Sequence, residues 1–339
     1  MPVPMVQNWL NRNTGTPRPN GLAIEVMTSS PRWRLTSPLR SMRLYWRHFA
    51  ESTHTLARQA MSRFRVSDLS AHASMVRCAN GRAIYINPQD GRGRSLVRRG
   101  GDVNPGSLVM WRSLLAERPW THVIDVGANY GEMLVGVELP RAATVIALEP
   151  NPFVIPYLAR TLQQLGVGVE LMSKAASARS GTATLAIDRN WSGLSSIAGV
   201  QKDSAGHAIE FVEVPTVTLA TLIKERTADV RSVRLLVKID VEIHEVAVLQ
   251  GLEDLLAEFE EFAALVEIVH LAAADIEWLL LRFDMELLDT EGGKLTKIDL
   301  TTPAELQSLL SGTKFYRQDA VLRRRGHFHR RVRLTSIFD

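Results

Sequence analysis

Three acidic side chains in this chain stand where an apolar run stops. Asp125 follows Val123-Ile124 and opens Val126-Gly127-Ala128-Asn129-Tyr130-Gly131. Glu149 follows Val145-Ile146-Ala147-Leu148, 24 positions later, and precedes Pro150-Asn151-Pro152. Asp240 follows Leu235-Leu236-Val237-Lys238-Ile239 and leads into Val241-Glu242-Ile243-His244-Glu245. An apolar strand of an open α/β sheet presents ligand chemistry at its carboxyl end. Gly127 and Gly131 let backbone come close to a ligand. Their spacing is G-x-x-x-G, so neither the G-x-G-x-x-G of a pyrophosphate binder nor a G-x-x-x-x-G-K-[ST] phosphate loop is present. A carboxylate ahead of such a turn suits a cationic or amine-bearing ligand better than a phosphate. A second carboxylate at the next strand end can accept hydrogen bonds from both hydroxyls of a ribose, each charge-assisted bond contributing about 1.5–3 kcal/mol. A capping Asp and a solvated Glu before a turn are the plainer readings, and the order and spacing favour the ligand roles. In the third cluster some acids can be simple caps, because negative charge is favourable at helix N-termini.

These residues need strands that alternate with helices. Apolar strands are expected from Thr121 into the Gly-rich turn, from Thr144, over Val167–Met172, over Leu235–Ile239 and over Ala263–Val269, with helices over Phe153–Leu165, Ile243–Phe259 and Ala272–Phe283. Gly181–Ile187 and Ile209–Val217 read as a strand pair. Such alternation implies a parallel sheet covered on both faces. Upstream, Met75–Asn80 and Arg82–Asn87 form a hairpin about Asn80-Gly81, Gly91–Gly106 is a loop with a short helical turn, and Leu108–Ala116 has helical spacing. Residues 1–21 read as a loose polar arm, and residues 35–65 as one or two amphipathic helices. The organisation is therefore 1–74, an N-terminal arm and helical extension; 75–120, hairpin and lead-in helix; 121–322, the ligand-binding domain; and 323–339, a basic tail.

Hydrophobic residues make up 45% of the 339 and charged residues 22%, which is ordinary for a globular chain. The single cysteine, Cys78, excludes an internal disulfide and a thiolate zinc site and fits a reducing, cytoplasmic setting. The first residues carry no apolar leader, and no apolar run approaches the ~20 residues of a membrane span. The net charge of +4 is uneven. Residues 1–100 hold sixteen arginines, no lysine and four acids, a balance of +12 against −8 for the rest. Such a front half can meet anionic partners or an inner membrane surface, or be no more than an Arg-rich solvent face.

DVGANYG, EPNP and KIDVEIHE stand in the order and at the distances found in the FkbM family of S-adenosylmethionine-dependent methyltransferases, which this chain resembles over about residues 75–322. Ala175-Ala176-Ser177, Gly181 and Val266-Glu267-Ile268-Val269-His270 extend the likeness. The resemblance implies a Rossmann-like class I methyltransferase sheet, seven-stranded with an antiparallel last strand to which Asp319–Leu322 can belong. It implies that Asp125, Gly127, Asn129 and Gly131 cradle the methionine part of S-adenosylmethionine, that Glu149 with Asn151 serves the ribose, and that Ala175 and Ala176 lie beside adenine. It also implies O-methyl transfer to a sugar or polyketide hydroxyl. Two departures stand out: the family's glycine after D-V-E is Ile243 here, and its T-L-D is Thr218-Leu219-Ala220.

Methyl transfer from a sulfonium asks mainly for alignment and for a base on the acceptor. Asp240, Glu242 and His270 are the candidate catalytic residues, with His244 a packing residue at a helix start. No metal ligand is assigned; Asp240, Glu242, Glu267 and His270 could together hold a hard divalent cation, a secondary expectation. Trp191, in Trp191-Ser192-Gly193-Leu194-Ser195-Ser196, could stack on a ligand or cover apolar neighbours. The acceptor is expected to be a small molecule or glycan, and self-association is expected. Nucleic-acid methylation is the enzymatic alternative, disfavoured because Ile239-Asp240-Val241-Glu242 stands where amino-methyltransferases of bases carry N/D-P-P-Y/F. A non-catalytic cofactor-binding scaffold is the other alternative.

Overall fold

A computed structural model describes residues 73–199 and 208–325. The expected N-terminal arm, the amphipathic helices of residues 35–65 and nearly all of the basic tail lie outside them.

The described chain builds one large sheet. Its strands are β3 (His122–Val126), β4 (Thr144–Leu148), β5 (Val169–Met172), β9 (Arg234–Ile239), β10 (Glu261–Glu267), β11 (Phe283–Asp289), β12 (Lys294–Ile298) and β13 (Asp319–Arg324), in the spatial order β12-β11-β13-β10-β9-β3-β4-β5. The five strands from β5 to β10 are parallel, and β13 runs antiparallel between β10 and β11. Asp319–Leu322 thus belongs to the antiparallel strand as expected. The sheet has eight strands rather than seven, because β11 turns at Glu291-Gly292-Gly293 into β12. Gly293, with φ of 61°, supplies the left-handed turn residue.

Each central strand is apolar on both faces. Val123, Val145, Leu236, Ala263 and Leu265 pack one way, against helices α1 (Gly91–Arg98), α2 (Pro105–Glu117), α3 (Glu132–Val135) and α4 (Ile155–Leu162). Ile124, Ile146, Leu235, Val237 and Ala264 pack the other way, against α5 (Leu219–Lys224), α6 (Glu245–Gln250), α7 (Glu253–Leu256), α8 (Ala273–Arg282) and α9 (Pro303–Ser311). This is the helix–sheet–helix sandwich that continuous apolar strands require. A small second sheet, β6 (Ala175–Ala176), β8 (Ile209–Val217) and β7 (Gly181–Asp188), follows β5, with β7 and β8 the expected antiparallel pair. A two-stranded hairpin, β1 (Met75–Arg77) and β2 (Ala83–Tyr85), precedes α1; its turn about Asn80-Gly81 spans five residues, closed by Cys78 and Arg82.

Two differences from the sequence reading have packing causes. Residues 243–259 form two short helices instead of one, because the chain breaks at Gly251. A Cβ there would overlap the carbonyl oxygen of Ser177, so only glycine lets this helix end sit against the strand-end loop. Residues 91–98 form a full helix instead of a helical turn in a loop. Its glycines, costly in isolation, admit close contact: a Cβ on Gly93 would lie 2.8 Å from the Asn87 carbonyl, and one on Gly91 2.6 Å from the Asn190 carbonyl. Asp90 caps the helix, accepting from the Arg92 and Gly93 amides, and its buried carboxylate also accepts from Tyr130 Oη at 2.7 Å, Ser192 N at 2.9 Å and Ser192 Oγ at 2.7 Å.

Asp90 thus ties α1, the turn after β3 and the 191–196 loop together. Removing it strands several buried donors, each costing about 1–3 kcal/mol when left unpaired. An Asp90→Ala chain is expected to lose about 2–4 kcal/mol of stability in urea unfolding. A loss below ~1 kcal/mol would mean that water replaces the carboxylate without penalty.

Candidate active site

The strand order reverses at β3: β4 and β5 lie to one side, β9 and β10 to the other. Ligand crevices of open α/β sheets form at such a switch point, beyond the strand carboxyl ends. The described residues form a cleft there, lined by the turns after β3, β4 and β9, by β6 with Lys174 before it, by Glu267 at the end of β10 and by Ser192, Gly193 and residues 195–197.

Register puts the charges side by side. Asp125 of β3 is paired with Lys238 of β9, and Lys238 with Leu265 of β10; Glu267 of β10 is paired with Asp319 of β13. Lys238 Nζ lies 3.4 Å from Asp125 Oδ1 and 3.3 Å from Asp240 Oδ2, and both Lys238 and Asp125 are buried. Burial alone would drive the Lys238 ammonium to lose its proton. The carboxylates of Asp240, Asp125, Glu132 and Asp319 more than reverse that and hold its pKa above the ordinary lysine value. Asp125, fully buried, is pushed up to about 6 by that burial, against the pull of Lys238. Neither of its oxygens has a hydrogen-bond partner.

The turn after β3 is held by backbone geometry. Gly127 has φ of 77°, Asn129 of 45° and Gly131 of 84°. The glycines meet a packing need. A Cβ on Gly127 would overlap the carbonyl oxygen of Asp240, and one on Gly131 would lie 3.0 Å from Leu158 Cδ1. They let the turn pack against the turn after β9 and against α4, and Gly127 also lines the cleft. Glu149 lines it too; its Oε2 accepts from the Asn129 amide at 2.8 Å and its Oε1 accepts from the Asn151 amide at 2.9 Å. Burial pushes Glu149 up to about 7 in spite of these bonds. Each oxygen keeps a further lone pair for a hydroxyl donor.

The turn after β9 is strained. Glu242 and Ile243 both have left-handed backbone, with φ of 56° and 70°, a conformation that costs an L residue about 1–2 kcal/mol. Glu245, at the start of α6, closes the turn by accepting from the Val241 amide at 3.1 Å. Glu242 reaches the cleft, where burial, then Asp240 and Glu245, push its carboxyl up to about 8. Carboxylate oxygens of Asp240, Glu242 and Glu267 lie within 4.8 Å of one another.

A family model, described as the methyltransferase FkbM domain, matches residues 125–291. Residues 125–291 are a methyltransferase FkbM domain. The chain is accordingly an S-adenosylmethionine-dependent methyltransferase in its class of chemistry. Solved structures similar to it include a precorrin-6y C5,15-methyltransferase from Geobacter metallireducens, 9% identical over 64% of this chain and 88% of that one, with a TM-score of 0.34. They also include the plantazolicin methyltransferase BpumL in complex with SAH, 12% identical over 65% and 83% with a TM-score of 0.31, and an rRNA methylase from Streptococcus thermophilus, 13% identical over 63% and 94% with a TM-score of 0.31. A comparison with curated proteins gives no match.

Within the FkbM domain the remaining expected residues are distributed unevenly. Ala175 and Ala176 are buried in β6 and line the cleft next to Glu149 and Pro150. Asn151 is buried; its side-chain oxygen accepts from the Phe153 amide and its Nδ2 donates to Ser195 Oγ at 3.2 Å. His244 is half-buried, its Nε2 3.0 Å from Ser177 Oγ, and burial lowers its pKa. His270, expected beside the catalytic edge, lies in an exposed turn beyond β10 and does not line the cleft. Trp191 is likewise not in the lining; its ring packs against Gly91 of α1. The sequence reading missed Lys238 and Arg92. Arg92, reaching in from α1, pairs with Glu132 of α3 and lines the cleft. The lone lysine inside LLVKI was the available signal, since a charge in a doubly buried strand needs partners.

The Ile243 backbone yields a test. A β-branched residue with positive φ is a poor fit, whereas glycine there gives up only the extra unfolded-state entropy of about 0.5–1 kcal/mol. An Ile243→Gly chain is expected to gain about 1 kcal/mol in urea unfolding. A loss of stability would show that the half-exposed Ile243 side chain contributes more than its backbone costs.

Proposed function

We propose that this chain transfers the methyl group of S-adenosylmethionine to a hydroxyl oxygen of a sugar, in a glycolipid, polysaccharide or glycosylated natural product, or of a polyketide. The observation that carries the reading is the convergence of Asn129, Glu149, Asp240 and Glu242 on one cleft at the switch point of a methyltransferase domain. The cofactor's demands fit this donor set. Asp125 is buried behind the lining beside the Lys238 ammonium and holds the base of the turn, and Glu149 has lone pairs to spare for a ribose. The net acidity of the cleft suits a ligand that carries a sulfonium.

In this reading Asp125 and Asn129 hold the methionine portion, with Gly127 and Gly131 fixing the turn that presents them. Glu149 and Asn151 hold the ribose, and Ala175 and Ala176 border the adenine. S-adenosylmethionine, when bound, supplies a methyl group already activated on sulfur. The chain's own work is alignment, exclusion of water and receipt of one proton from the acceptor hydroxyl. Asp240 and Glu242 stand at the acceptor side for that last task. Glu242 is poised near neutrality, the range in which a general base is most effective. His270 has no part in it, being outside the cleft.

Two outcomes follow. Calorimetric titration should show saturable binding of S-adenosylmethionine, and Asp125→Ala or Glu149→Ala should each weaken it by about 2 kcal/mol, a roughly 30-fold rise in Kd. Absence of binding by the folded chain would remove the methyltransferase assignment. The pH dependence has a definite sign. With Glu149 near 7 in the free protein, its carboxyl must shed a proton before it acts as an anion toward the ligand. Affinity should therefore rise from pH 6 to pH 8 with release of a proton, and Glu149→Gln should flatten that rise. A pH-independent affinity would show that Glu149 is not a ligand contact. Transfer to oxygen of a sugar is read from the product, whose methyl ether survives mild base as a methyl ester does not.

A further inference from the structure

The three carboxylates of Asp240, Glu242 and Glu267 come from two different strand ends, yet their oxygens lie within 4.8 Å of one another. Asp240 and Glu242 sit on the strained turn after β9, and Glu267 is the last residue of β10. Carboxylates this close repel one another as they ionise, and Lys238 divides its charge between Asp240 and Asp125.

A second observation is independent of that clustering. Glu267 is only 4% exposed; its Oε1 accepts from Gln318 Nε2 at 3.0 Å, but its Oε2 is buried with no hydrogen-bond partner. A buried carboxylate oxygen left without a donor is costly. Both that oxygen's lack of a donor and the neighbouring negative charge call for the same thing, a compact cation with a preference for oxygen.

We propose that Asp240, Glu242 and Glu267 form a binding site for a hard divalent cation of the magnesium or manganese kind. Three carboxylates from a fixed sheet edge and an open side toward the cleft match the habit of such ions, which take a few carboxylates and complete an octahedron with water or ligand oxygens. A thiophilic metal is disfavoured by the all-oxygen donor set. The open coordination positions face the same cleft as Glu149, so an acceptor that offers oxygen donors, such as a vicinal diol, could join the ion there. The inference rests on the carboxylate geometry and not on the methyl-transfer reading, although both concern one cleft.

The test uses the full chain and Mn2+ alone, with free Mn2+ followed by its electron paramagnetic resonance signal. The wild type should remove one Mn2+ per chain, and Mg2+ should compete it away. Glu267→Gln preserves size and the acceptor for Gln318, and should weaken binding by at least ~10-fold, as should Asp240→Asn. Glu253→Gln, on the opposite end of the sheet in an exposed ion pair with Arg282, should bind as the wild type does. Thermal melting of each variant separates loss of a ligand from loss of fold, and Asp240→Asn serves if Glu267→Gln does not fold. An undiminished free Mn2+ signal with wild-type chain in excess would overturn the proposal, as would wild-type affinity in both folded variants. Binding of S-adenosylmethionine, measured separately without metal, reports on the cofactor reading alone, so the two can fail independently.

Discussion

The ammonium of Lys238 is the contact on which the catalytic edge depends. It sits in the second strand of the switch point, buried, between a carboxylate of the neighbouring strand and one on its own following turn. A buried pair of this kind adds little net stability, because desolvation consumes most of the Coulomb gain. Breaking it is different: an Asp125 or Asp240 left without Lys238 would be a bare buried charge. The pair therefore acts as a register device. It holds β3 and β9 level, so that the turn after β3 meets the turn after β9 at Gly127, where a Cβ would overlap the Asp240 carbonyl.

From that junction the rest of the cleft follows mechanically. Level strands bring the Asn129 amide to Glu149, and Glu149 then fixes Asn151 and the turn after β4. Asn129 and Asn151 in turn hold Ser192 and Ser195, so the 191–196 loop is laid across the cleft by polar contacts at both ends. Asp90 anchors the same loop from the opposite side. Function and stability are consequently hard to separate here. Glu149, a ligand group in the proposed reading, is also the splint for two turns.

Much of this was legible in the sequence, for identifiable reasons. Apolar runs ending in acids located β3, β4 and β9, because doubly buried strands have no other composition available. The order of the three motifs placed them on one edge. What escaped was information held in distant backbone contacts. The break at Gly251 depends on Ser177, and the helix at Gly91–Arg98 depends on the carbonyls of Asn87 and Asn190; neither partner is visible locally. The β11–β12 hairpin was missed because α8 passes straight into β11 at Phe283 without a turn signal. His270 looked catalytic because it follows Glu267 closely, but Ile268 still continues toward the sheet core, and the chain then turns outward. The glycines were plain in the sequence, but that each also lies tight against protein is a tertiary fact.

The departure at Ile243 carries the same lesson about cost and position. A left-handed residue after Glu242 is required whatever side chain is present, because the chain must leave β9, expose Glu242 to the cleft and enter α6 within five residues. Glycine would meet that need without strain. The isoleucine keeps the backbone path, since Glu245 still closes the turn through the Val241 amide, and adds a half-exposed apolar side chain beside the acceptor-side carboxylates. Strain retained at such a place is more easily understood as a trade of stability for a surface the acceptor meets than as drift, because the fold gains nothing from it. In the proposed reading DVGANYG and EPNP hold the cofactor, and the strained turn after β9 borders the acceptor.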